Sequence, residues 1–137
     1  MTPSPARPQP RAVLIGAVVT LVLALPPAVI AQVQADRDAL EGANWVLALF
    51  AVVLVAFMAG GWVAARRGPA SPLANGATAA LAAYAVVQGY GIVRRLADGD
   101  DIRWLGIAFA ALLAVSCGTV GAVLASLREH REQERAT

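Results

Sequence analysis

The chain has 137 residues, of which 58% are hydrophobic and 15% are charged, with a net charge of +2 at pH 7 and a mean hydropathy of +0.63. This balance leaves too little polar surface to coat a soluble helical bundle, so we expect lipid to be the solvent of its outer faces, and no nucleic-acid partner is expected. The single cysteine excludes an intrachain disulfide and a CxxC redox pair.

The N-terminal residues 1–10 contain four prolines among Thr, Ser, Gln and Arg. Such a segment cannot bury enough apolar area to fold, so it predicts a disordered tail. A first uncharged run then predicts a membrane span over about 11–31. Pro26 and Pro27 lie within it and remove two amide donors, which predicts a kink or local unwinding in its last third.

A second interpretation of this first run is a cleaved secretory signal. Such a signal has a basic start, an apolar segment and a cleavage site. The chain has similar features in Arg7 and Arg11, in the apolar run and in the triplet 33–35. The apolar core is longer than a usual signal, and three more spans follow it, so we expect the first span to be retained. Cleavage would leave three spans and an N-terminus on the opposite side.

Three further uncharged runs predict spans over about 45–65, 73–93 and 104–127. A bilayer core about 30 Å thick needs roughly 20 residues of helix, and each run has that length. The prediction is an all-α polytopic membrane protein, with one transmembrane domain over 11–127 folded as a four-helix, up-down bundle. Residues 128–137 are expected to form a charged tail.

The arginines are distributed unequally between the two sides of this arrangement. Four arginines and six acidic residues fall in the first and third connections, whereas the two tails and the second connection hold seven arginines: Arg7, Arg11, Arg66, Arg67, Arg128, Arg131 and Arg135. Short connections with excess arginine lie in the cytoplasm under the positive-inside rule. Both termini are therefore predicted to be cytoplasmic.

The two halves of the chain have a similar layout. Trp45 follows Gly16 by 29 residues, and Trp104 follows Gly76 by 28 residues. This spacing is typical of two duplicated helical hairpins; the alternative is a chance likeness between alanine-rich helices. Because each hairpin starts and ends on the same side, the repeats would be parallel and related by an axis along the membrane normal.

No ionisable side chain falls inside a predicted span, which argues against a proton-driven antiporter or a pump. We predict no catalytic residue, no cofactor and no metal site. A few mildly polar residues lie at membrane depth. Gln88 and Thr119, together with the Pro26–Pro27 pair, are the candidates for a polar lining or a kink. The alternative for Gln88 is a hydrogen bond to a neighbouring helix.

Small residues at fourfold spacing are the stronger pattern, because they allow helix backbones to approach closely in lipid. The predicted helix-packing positions are Gly60, Gly61, Gly76, Gly89, Gly118 and Gly121. The pattern does not distinguish packing within one chain from pairing of two copies.

The segments 60–67, 72–77 and 118–122 place small residues and arginines around one turn. In this respect the chain resembles a family of small bacterial four-span integral membrane proteins with no assigned activity. The resemblance covers residues 56–128 and implies a bacterial inner membrane. Our functional hypothesis is a non-enzymatic membrane protein that packs with itself or with a membrane partner; the alternative is a passive pore or small transporter for a neutral or lipid-like solute.

Overall fold

The computed structural model describes residues 7–35, 43–99, 101–102 and 104–136, and these contain four helices and no strand. The helices are α1 (Pro10–Ala35), α2 (Ala43–Arg67), α3 (Pro72–Asp98) and α4 (Trp104–Ala136). Each is long and apolar enough to cross a membrane. The predicted all-α four-helix bundle is confirmed, and the chain is a multi-pass membrane protein.

The predicted spans lie inside these helices, which are longer than the spans at several ends. Residues 1–6 of the predicted tail lie outside the described residues, whereas the charged segment after Leu127 continues α4 as helix. α1 runs through Pro26 and Pro27 without the predicted unwinding. The proline ring holds φ near the helical value, so two lost amide donors do not by themselves end the helix.

The helices alternate in direction, so one end of the bundle holds the start of α1 and the end of α4. We call it the terminal end, and the other the opposite end. α1 packs against α2 and α3, and α4 packs against α2 and α3, with α2 and α3 also in contact. Within the described residues α1 and α4 do not meet.

Small side chains lie inside the bundle and large ones outside, which is the reverse of the arrangement in a soluble protein. Most of the buried apolar residues are alanines, such as Ala64 and Ala122, which are both 0% exposed. Large apolar side chains face outward, and Leu105 is 86% exposed. This arrangement matches a lipid solvent, because leucine gains nothing by leaving hydrocarbon while small residues bring the helices together.

A clamp at the terminal end joins three segments of the chain. Asn75, at the start of α3, is fully buried. Its amide nitrogen donates to the carbonyl of Gly68 at 2.8 Å, and its amide oxygen accepts from the backbone nitrogen of Gln9 at 2.7 Å. Ser71 donates from its hydroxyl to the carbonyl of Arg7 at 3.0 Å. The residues before α1 are thereby tied to the turn between α2 and α3.

We expect Asn75→Leu to destabilise the bundle, because the substitution removes two hydrogen bonds and leaves the part-buried Gln9 amide without its acceptor. The Gly68 carbonyl keeps only the backbone N–H of Ser71, at 3.3 Å. An orphaned group of this kind costs about 1–3 kcal/mol. Unfolding in mixed micelles, followed by circular dichroism, measures the loss. Asn44→Leu is the matched control, since Asn44 is exposed; equal unfolding midpoints for the two variants would contradict the role of the clamp.

Candidate functional site

The first hairpin is held by a close crossing between Gly16 of α1 and Gly60 of α2. A β-carbon added at Gly16 would lie 2.7 Å from the carbonyl oxygen of Gly60 and 2.6 Å from the β-carbon of Ala64. One added at Gly60 would lie 2.7 Å from the carbonyl oxygen of Gly16 and would overlap the hydroxyl of Thr20. The two backbones are therefore in direct contact, with no room for a side chain.

The second hairpin has a crossing of the same kind between Gly76 of α3 and Gly118 of α4. A β-carbon at Gly76 would lie 2.8 Å from the Gly118 carbonyl oxygen and 2.7 Å from the β-carbon of Ala122. One at Gly118 would lie 2.6 Å from the Gly76 carbonyl oxygen and 2.5 Å from the β-carbon of Ala80.

The partners in the two crossings correspond one to one. Gly76 and Ala80 follow Gly16 and Thr20 by 60 residues, and Gly118 and Ala122 follow Gly60 and Ala64 by 58 residues. The two hairpins thus repeat one helix crossing at a nearly constant spacing.

The predicted axis between the hairpins is not present, however. An axis along the membrane normal that exchanged the hairpins would make the contact of α2 with α3 equivalent to one of α1 with α4, and α1 and α4 do not meet in the described part of the chain. Instead α1 lies beside α3 and α2 lies beside α4. The second hairpin therefore lies next to the first in the same orientation.

α2 and α4 join the two hairpins at Gly61 and Gly121. A β-carbon at Gly61 would overlap the carbonyl oxygen of Gly118, and one at Gly121 would overlap that of Met58 and lie 3.0 Å from the amide nitrogen of Trp62. Gly118 therefore contacts both neighbouring helices.

Gly89 differs from the other five predicted packing glycines. It is exposed near the opposite end of α3, and no atom lies within 4 Å of the position of an added β-carbon. The fourfold spacing of Ala85 and Gly89 is present, but this stripe faces away from the bundle and packs against nothing within the described residues.

The residues predicted to line a polar path are not brought together. The Thr119 hydroxyl donates to the carbonyl of Val115 on its own helix at 2.7 Å. Gln88 is half-buried and makes no hydrogen bond within the described residues. It therefore neither bonds to a neighbouring helix nor joins other polar groups in a path through the bundle. Pro27 is buried and Pro26 exposed on a continuous α1.

The interior of the opposite half instead holds a small apolar cavity of about 160 Å³ between the four helices, lined by residues that include Ala24, Phe50, Phe57 and Ala114. Tyr84 also lines it, and its hydroxyl donates to the carbonyl of Ile107 at 2.7 Å. The cavity has no polar group that could replace the hydration of a solute. Among the described residues no three His, Cys, Asp or Glu side chains form a group that could hold a metal ion.

A larger groove, of about 570 Å³, opens between α2 and α4 at the terminal end. Val55, Met58 and Leu124 line its apolar part, Trp62 lines its middle, and Arg128 and Arg131 line its mouth. The Cζ atoms of Arg66 and Arg128 lie 6.0 and 5.7 Å from the centroid of the Trp62 ring. Both distances are within the range of cation–π attraction.

The sequence did not predict this groove. The fourfold spacing of Trp62 and Arg66 on α2 is a signal for their contact. The approach of Arg128 carries no such signal, because it depends on α4 lying parallel to α2.

Comparison with known proteins adds no functional assignment: no family model, no curated protein and no solved structure matches the chain.

The crossings predict opposite effects for two glycines of α4. Gly118→Ala forces a methyl group against Ala80 and the Gly76 carbonyl, which we expect to cost about 1–3 kcal/mol of stability. Gly106→Ala meets nothing within 4 Å and should be neutral or stabilise the helix by up to about 1 kcal/mol. Unfolding of both variants in the same micelles measures the difference, and the reverse order would be incompatible with the crossing.

Proposed function

We propose that this protein is a non-enzymatic integral membrane protein that acts by packing with itself or with another membrane protein. The observation that carries the proposal is the closely packed, apolar interior of the bundle. Glycine and alanine bring the helices into contact at the terminal half, and the cavity of the opposite half is apolar. Acidic and basic residues of the described helices lie only toward the helix ends, so the interior of the bundle offers no such pair for general acid–base chemistry.

The surface of α3 supports the assembly part of the proposal. Five of the six predicted packing glycines are already used in contacts within the chain, whereas Ala85 and Gly89 remain exposed. A stripe of this kind allows a second helix to approach closely, which replaces the missing hydrophobic driving force in lipid.

The arginine distribution supports an orientation in which the terminal end faces the cytoplasm of a bacterium and the helices cross its inner membrane. At the opposite end Arg94 lies 3.8 Å from Asp98, so one of the arginines expected outside has an acidic neighbour. Gly99, in the left-handed conformation at φ 77°, ends α3 directly after this pair.

A passive pore has less support. It would need a polar path through the bundle, and Pro26, Gln88 and Thr119 do not converge on one. A lipid-like solute would have to enter the 160 Å³ cavity, which is smaller than the usual pocket of about 300–1,000 Å³ for a small ligand.

Cysteine crosslinking in native membranes tests assembly. In a Cys117→Ala background, Ala85→Cys should form a disulfide-linked species on oxidation, because the stripe would lie at the interface. Val22→Cys is the matched control: Val22 is 63% exposed on α1 and stands about as far along its helix as Ala85. It should crosslink far less.

The mass of the crosslinked species distinguishes a second copy from a different partner. Native mass spectrometry of the unmodified chain in mild detergent gives the independent reading. A strictly monomeric protein with no co-purifying partner, together with no crosslink at Ala85→Cys, would contradict the proposed role.

A further inference from the structure

The groove between α2 and α4 changes in chemical character along its length. The part farther from the terminal end is lined by Val55, Met58 and Leu124, and the mouth by Arg128 and Arg131. At 1.5 Å per residue, the seven residues from Leu124 to Arg131 span about 10 Å along the bundle. The groove therefore runs from membrane depth to the headgroup level, with hydrocarbon contacts below and cations above.

Cations are concentrated at the mouth of the groove. Arg128 and Arg131 line it, and Arg66 and Arg128 lie over the Trp62 ring. The whole terminal end holds seven arginines against three glutamates. An anion placed between these guanidinium groups would relieve their mutual repulsion.

Trp62 supplies a second, independent feature of the same site. Its indole Nε1 is buried and has no hydrogen-bond acceptor within the described residues. Buried polar groups are nearly always paired, so this donor would gain an acceptor if the indole shifted toward a ligand in the groove. Trp62 also keeps Arg66 and Arg128 close to its ring, which places the donor beside the cations.

We propose that this groove binds an anionic phospholipid. Its headgroup phosphate lies between Arg66, Arg128 and Arg131, and one acyl chain lies along Val55, Met58 and Leu124. Basic pockets between transmembrane helices recognise lipid headgroups by this combination of charge and depth. A free anion would use only the mouth, and a neutral lipid only the apolar part; the site combines both.

Brominated lipids test the proposal in nanodiscs, with Trp62 as the reporter. Trp45→Phe and Trp104→Phe remove the other two tryptophans. Brominated phosphatidylglycerol should quench Trp62 more strongly than brominated phosphatidylcholine at the same mole fraction. Arg128→Gln with Arg131→Gln should lower this preference by roughly fivefold for each arginine removed. Arg7→Gln with Arg11→Gln is the control, because it removes the same charge at the same end, outside the groove.

Two further measurements distinguish binding of a lipid from binding of a free anion. Ala59→Phe narrows the groove and leaves the arginines in place, so it should abolish preferential quenching by the brominated chain. Inorganic phosphate should not displace the brominated phosphatidylglycerol. Circular dichroism establishes that each variant is folded.

Three results would overturn the proposal: equal quenching by the two lipids, an equal loss of preference in the two double-arginine variants, or displacement by inorganic phosphate. None of them bears on self-assembly through α3, which crosslinking measures separately.

Discussion

Backbone contact between helices at glycine is the constraint on which this bundle depends. In hydrocarbon, a leucine gains nothing by moving from lipid into a helix interface, so attraction between helices has to come from close van der Waals contact. Gly16 and Gly60 provide this contact in the first hairpin, and Gly76 and Gly118 provide it in the second. Gly118 also contacts α2, so one residue without a side chain couples the hairpins.

Such close packing determines where polar groups can act. Helices in backbone contact leave no room for water, and the hydroxyls of Thr20 and Thr119 bond to carbonyls of their own helices. Apart from the hydrogen bond of Tyr84 to Ile107, the polar interactions between segments described above are found toward the terminal end, in the Asn75 clamp and in the groove beside Trp62. The bundle therefore has an inert middle and a chemically distinct, cationic terminal end.

The number, class and approximate bounds of the helices follow from the sequence, because a bilayer sets their length and charge-free runs of that length are easily recognised. Which helices pack against each other does not follow from the sequence. Gly16 served only as a marker of the repeat, and Gly89 resembled the packing glycines. What separates them is the face each presents after α2 and α4 have packed in parallel, and composition contains no information about that register.

The Asn75 clamp has a consequence for the order in which the chain is made. Asn75 accepts a hydrogen bond from an amide 66 residues earlier, at Gln9. While the ribosome is still producing α2, the start of α1 has no fixed attachment at that end. Only after the first turn of α3 has been made can Asn75 hold the residues just before α1 in place. The second hairpin therefore completes the first one during biogenesis.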